Sequence, residues 1–136
     1  MILTDTGPLV ALIDRKDPNH AVCVAATGSL PAEPMVTTWP CFTEAMYLLH
    51  RAGGHAAQAA LWALVRTGRL VLYDLGATER ERMDVLMDKY RDTPMDLADA
   101  SIVAAAERIE TRRLFSLDGD FRIYRLVNGS PLDLIP

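Results

Sequence analysis

Apolar residues along this chain fall into short uninterrupted runs that alternate with longer stretches of helical period. The short runs predict strands: "MILT" at 1–4, "PMVTTW" at 34–39, "RLVLYDL" at 69–75, "RRLFSL" at 112–117, and a last short one near "IYRLV" at 123–127. Between them, "GPLVALID" predicts a helix opened by Pro8, and "PNHAVCVAATGSL" a second. "PCFTEAMYLLHRAG" and "HAAQAALWALVRTG" predict two more, each ending at glycine. Residues 79–92 place Met83, Leu86, Met87 and Tyr90 on one stripe with charges elsewhere, an amphipathic helix with a solvated outer face. The stretch 93–108, "TPMDLADASIVAAAER", opens with Thr93, Pro94 and Asp96, which suit a first helical turn.

Strands this short and apolar, separated by helices, imply an α/β fold whose mostly parallel sheet is covered on both faces. The 136 residues, half of them hydrophobic, suit one domain spanning 1–136, and no repeat, low-complexity tract or linker divides them. No apolar run is long enough to span a bilayer, and the first residues lack the basic and apolar regions of a signal peptide. Cys23 and Cys41 are too few for a disulfide framework and read as buried thiols of a cytoplasmic protein. His20, His50 and His55 form no metal-binding spacing.

A net charge of −4 excludes a strongly basic nucleic-acid clamp, but not a nucleic-acid enzyme whose acids bind metal. The placement of particular acids bears on this. Asp5 is the only charge in residues 1–13 and stands where the first strand ends. Glu44 is the only formal charge between Glu33 and Arg51. Asp99 is the only charge from Leu97 to Ala106, and a helix puts it on one stripe with Ile102, Val103 and Ala106. Asp118 closes the run "LFSL". Taken singly, Asp5 suits a helix cap, Asp118 an Asx turn, and Glu44 and Asp99 partners of distant arginines. Taken together, four carboxylates interrupt four apolar segments that carry no adjacent cation, and burial of a carboxylate is costly unless it is paired. A divalent cation would offset all four burials, and all-oxygen ligation points to Mg²⁺ or Mn²⁺ rather than zinc. In open parallel sheets such groups collect beyond the carboxyl ends of the strands.

Asp5-Thr6 after the first strand, Glu44 in a mid-chain helix, "PMDLADAS" and "FSLDGDF" together resemble the PIN-domain ribonucleases, above all the VapC-type toxins of toxin–antitoxin pairs. The likeness runs through nearly the whole chain to the "LDLIP" tail. It implies a three-layer α/β/α sandwich and Mg²⁺-dependent endonucleolytic cleavage of RNA, leaving 5′-phosphate and 3′-hydroxyl ends. By position it assigns Asp5, Glu44, Asp99 and Asp118 to the catalytic, metal-binding site. Thr6 and Ser116 match hydroxyl positions beside the acids, and Asp96 matches an accessory one. A homodimer and a small antitoxin that covers the site are implied as partners; the helices at 40–67 carry more apolar surface than one sheet face needs and are expected to supply dimer or antitoxin contacts. The same pattern also fits helices that simply pack on each other.

Of the two acids in "DGDF", Asp118 is expected to be the ligand because it ends the strand, and Asp120 to cap the short helix that follows. Other readings fare worse. A phosphoacceptor receiver domain needs a lysine after a late strand, and the only lysines are Lys16 and Lys89. A haloacid-dehalogenase-type phosphatase needs an aspartate where Gly7 stands. A non-catalytic PIN-like module that binds RNA or protein has no physical reason to gather mutually repelling carboxylates.

Overall fold

A computed structural model describes all 136 residues. Five strands, β1 (Ile2–Thr4), β2 (Met35–Thr38), β3 (Leu70–Tyr73), β4 (Arg113–Phe115) and β5 (Asp133–Ile135), form one sheet in the order β3-β2-β1-β4-β5. Every pairing is parallel, as expected for strands apolar on both faces. Leu3 stands in register with Val36 on one side and Leu114 on the other. That row packs into a core shared with helices α4 (Ala77–Lys89) and α5 (Leu97–Arg108). The alternate residues Ile2 and Phe115 pack with α1 (Thr6–Ile13) and α2 (His20–Ser29). Leu70 joins α1 and α3 (Trp39–Arg66) in a third cluster. Period-two alternation along strands of three or four residues thus feeds two helical layers, giving the α/β/α sandwich.

Most elements lie where the periodicity puts them, and the departures have local causes. The two helices predicted at 40–53 and 55–68 follow each other without a loop inside α3 and are broken at Gly54, whose φ of +65° only glycine adopts readily. α5 begins at Leu97 rather than at Thr93. Thr93 and Pro94 belong to the preceding turn, where both the amide and the hydroxyl of Thr93 donate to the Tyr90 carbonyl. The cap is Asp96, whose carboxylate accepts the Asp99 amide at 2.8 Å while Asp99 accepts the Asp96 amide at 3.3 Å.

"IYRLV" is not a strand. Its apolar residues are used irregularly: Tyr124 is fully buried and Leu126 nearly so, whereas Ile123 and Val127 face solvent. Instead of a ladder, the Arg125 amide donates to the Tyr90 hydroxyl, and the chain turns back at Gly129. The fifth strand comes from the tail "DLI", through which the Asp133 amide donates to the Arg112 carbonyl and the Ser116 amide to that of Ile135. No helix is long and apolar enough to cross a membrane. Cys23 and Cys41 are both buried and free.

Candidate active site

At the carboxyl end of the sheet, β1 runs directly into α1, and Asp5 stands at the junction as the residue before the helix. Its side chain makes no capping bond. Instead the Ser116 hydroxyl donates to Asp5 Oδ2 at 2.9 Å, and the Cys41 thiol lies 3.7 Å from Oδ1. Ser116 also accepts the Asp118 amide at 3.0 Å, so one hydroxyl just beyond β4 fixes both the first acid and the loop that carries the fourth.

Asp118 lies three residues past the end of β4, not at its close. It is the residue that caps the short 3-10 helix Gly119–Arg122, accepting the Asp120 amide at 2.9 Å. That corrects the expected division of roles in "DGDF". The helix starts at Gly119, so the capping position falls on Asp118, and Asp120 lies inside the turn.

Asp99 sits in the first turn of α5, a helix whose residues Ala98–Ala106 are all buried. It is 7% exposed and accepts a hydrogen bond from the buried Tyr124 hydroxyl at 3.3 Å. Glu44 projects from an exposed position in the early turns of α3. The Thr6 hydroxyl lies 3.4 Å from its Oε2 and donates to the Cys41 carbonyl at 3.3 Å.

These residues meet in one cleft of about 480 Å³, lined by Asp5, Thr6, Glu44, Asp96, Asp99 and Asp118 together with Gly7, Leu48, Pro94 and Leu117. All five acids singled out in the sequence are on its walls, with Thr6. Ser116 is not; it acts from behind, through Asp5 and Asp118. The lining holds no lysine, arginine or histidine, and no ion pair of the structure uses any of the five acids. The distant arginine partners that would have made Glu44 and Asp99 ordinary structural acids are therefore absent.

The electrostatic consequence is direct. Burial, then the neighbouring Asp96 charge, push the Asp99 carboxyl up to about 7, with Asp5 and Asp118 adding to the repulsion and the Asp96 amide opposing it. Burial likewise raises Asp5 against the hydrogen bonds from Thr6, Ser116 and Cys41. Glu44 is raised by burial and by the Asp96 and Asp5 charges. Burial and the Asp5 charge push the Cys41 thiol up to about 12, so it is a neutral, inert neighbour.

No three acidic, histidine or cysteine side chains close tightly enough around one point to hold an ion as they stand. The donor set itself suits a hard divalent cation: carboxylates from separate segments, small hydroxyls beside them, no nitrogen or sulfur ligand facing the cleft, and no competing cationic side chain.

Two contributors leave little trace in the linear pattern. Tyr124 falls in a stretch whose composition predicts a strand, and nothing in the spacing links it to Asp99. Cys41, three residues before Glu44 and so on the same helical face, does offer a signal, but an isolated cysteine reads first as a small core residue.

No family model matches the chain. It is 30% identical over 136 residues to ribonuclease VapC26 of Mycobacterium tuberculosis, an alignment covering 99% of this chain and all of that protein. Among solved structures it resembles VapC20 of M. tuberculosis, a toxin that cleaves the sarcin-ricin loop, with a TM-score of 0.85, 20% identity and full coverage of both chains. It also resembles a toxin–antitoxin complex from Klebsiella pneumoniae, with a TM-score of 0.68 and 20% identity over 89% of this chain and 90% of that one.

Proposed function

The chain belongs to the VapC family of PIN-domain ribonucleases, and on that premise we propose that it is a Mg²⁺- or Mn²⁺-dependent endoribonuclease, the toxin of a cytoplasmic toxin–antitoxin pair. One observation carries this reading: five carboxylates from four separate segments line a single cleft that no lysine, arginine or histidine enters. Such an arrangement lowers stability and has no use in a scaffold, but it suits a site that waits for a cation.

Asp5, Asp99, Asp118 and Glu44 would hold the ion, with Asp96 accessory to them. When bound, a divalent cation supplies a Lewis acid for a water and for the scissile phosphate. Every other part belongs to the chain. Ser116 orients Asp5 and the Asp118 loop, while Tyr124 holds Asp99 from the core side and the Asp96 amide holds it at the start of the helix. Thr6 steadies Glu44. Glu44 or Asp118, whichever keeps a carboxylate oxygen free of the ion, would accept the proton of the attacking water, and Glu44 is the exposed one of the cleft acids with a raised carboxyl. Attack in line breaks the bond from phosphorus to the 3′-oxygen, which takes a proton from solvent water, giving a 5′-phosphate and a 3′-hydroxyl.

The acids sit in a recess, and a recessed site suits a single-stranded or looped RNA, whose backbone can bend into it, better than a stiff duplex. A small antitoxin protein that covers the acids with a basic side chain would match the charge of the cleft, and a homodimer is the proposed assembly. Purified protein is incubated with total RNA in Mg²⁺, in Mn²⁺ and in EDTA, and the cut ends are mapped. Cleavage in either metal, none in EDTA, and 5′-phosphorylated products are expected. Undiminished cleavage in EDTA refutes the metal dependence.

A further inference from the structure

Next to the acid cleft, and sharing Glu44 and Asp96 with it as a common lip, lies a second groove of about 740 Å³. Its chemistry is different. Trp39, Pro40 and Tyr47 come from the first half of α3, and Leu97 and Ala98 from the start of α5. Large apolar groups here face solvent: Trp39 is 43% exposed, Leu97 52% and Tyr47 63%.

The Trp39 ring is also held in place. The Trp39 indole nitrogen donates to Asp74 Oδ1 at 3.1 Å, and the ring rests edge-on against Phe42 with centroids 5.7 Å apart. An indole fixed at its nitrogen and backed on one side presents a defined surface to the groove at little entropic cost on binding. Tyr47 carries the Arg51 guanidinium 5.9 Å from its ring centroid, one α-helical turn away.

We propose that this groove is a stacking subsite for unpaired bases of the RNA strand whose phosphate enters the acid cleft. The inference rests on the endonuclease reading above and extends it to how substrate is held. A divalent cation in the acid cleft would draw in a single phosphate, but the chain as a whole carries a net charge of −4, so charge attraction alone holds the flanking nucleotides poorly. Stacking on aromatic faces does not depend on a basic surface and tolerates any base sequence. Because the two cavities share a lip, a strand with one phosphate at the acids has its adjoining nucleotides at this floor. Thr43, Glu44 and Asp96 give the otherwise apolar groove hydrogen-bonding groups along its edge.

The test uses the full chain. The chain has two tryptophans, and Trp62→Phe leaves Trp39 as the sole tryptophan, with the RNA linkages made phosphorothioate to slow cleavage while the acid set stays intact. An eight-nucleotide single-stranded RNA of mixed sequence should quench Trp39 saturably in Mg²⁺, and its duplex with the complement should not. In otherwise wild-type protein, Trp39→Ala and Tyr47→Ala should each raise KM about tenfold with kcat changed by less than about twofold, whereas Trp39→Phe and Tyr47→Phe keep KM close to wild type. Absence of the quench, or alanine variants with unaltered KM, overturns the subsite. Alanine variants that lose self-association or antitoxin binding at unchanged KM overturn it as well, and assign the groove to a protein partner. If the wild type cuts no RNA, the endonuclease reading fails, and the fluorescence titration alone then decides the subsite.

Discussion

The two ends of the same sheet treat carboxylates in opposite ways. At the amino end, Glu33 precedes β2 and is held by the chain's own α-amino group and by Arg113, the first residue of β4, at 2.7 Å. Those hydrogen bonds hold its carboxyl below the usual range. At the carboxyl end, Asp5, Glu44 and Asp99 have no cationic partner, and burial with mutual repulsion raises all three. One end is electrostatically complete within the chain and contributes to folding. The other is complete only when something positive is added, which is the mark of a site that trades stability for function.

Breaking the carboxyl end should show first in catalysis. Asp5→Asn and Asp99→Asn each remove one of the two most buried acids of the cleft while keeping shape, and should lower RNA cleavage on the order of 10³-fold or more. Initial rates on an RNA carrying a mapped cut site check this. Variants that retain a tenth of wild-type activity would mean that the buried acids are structural after all.

A finer division lies within "DGDF". Asp118 lines the cleft and caps the 3-10 helix, whereas Asp120 is not among the lining residues and its carboxyl is raised mainly by the Asp118 charge. Asp118→Asn keeps an oxygen that can cap but loses the charge, so activity should fall by about 100-fold while melting changes little. Asp120→Asn should cost less than about tenfold, as for a residue outside the reacting groups. The reverse ranking would move the site to the inside of the short helix.

Stability offers a third handle on the comparison. A raised folded-state value means that folded Asp99 keeps its proton at pH values where the unfolded chain has lost it. Its contribution to metal-free stability is therefore present at acid pH and is lost as pH rises through about 7. Asp99→Asn removes the repelling charge, and in EDTA near pH 8 it should stabilise the protein by about 1–2 kcal/mol. Millimolar Mg²⁺ should raise the melting temperature of wild type and leave that of the variant nearly unchanged. A variant that melts below wild type in EDTA would assign Asp99 a cationic partner.

How legible this site is in the sequence depends on the kind of signal each residue leaves. A charge in an otherwise apolar segment is conspicuous, so Asp5, Glu44 and Asp99 stand out from the residue pattern by itself, and the alternation of runs and helices orders the first four strands. Pairing geometry leaves less trace. The tail "DLI" has no alternation of its own and becomes a strand only because the β4 edge needs its amides and carbonyls met. "IYRLV" has the composition of a strand but contributes Tyr124 and Leu126 to the core from an irregular segment. Tyr124 thereby reaches Asp99 across 25 residues, a contact that no periodicity encodes. The capping of the 3-10 helix by Asp118 turns on where the turn begins, and helix boundaries are the least legible feature of a sequence.

The smallest effect is expected at the amino end, and its sign is the opposite of that for Asp99. Glu33→Gln removes the charge that the α-amino group and Arg113 share, so the variant should melt slightly lower than wild type at neutral pH. Glu33 is lowered in the folded state, so its contribution is present above the ordinary glutamate range and is lost as pH falls through the folded value. The deficit of Glu33→Gln should accordingly shrink toward zero in acid, where the gain of Asp99→Asn also vanishes because Asp99 is then protonated in both states. Near pH 8 the two variants should sit on opposite sides of wild type. Exposure and salt screening keep the Glu33 effect small, and it should shrink further in 1 M salt. The Asp99 effect, arising within a buried cluster, should persist there. Melting curves of the three proteins at acid and alkaline pH, in low and high salt, read all of this from one observable. If Glu33→Gln instead melts higher than wild type at pH 8, the pairing at the amino end does not stabilise the fold, and the contrast between the two ends of the sheet fails.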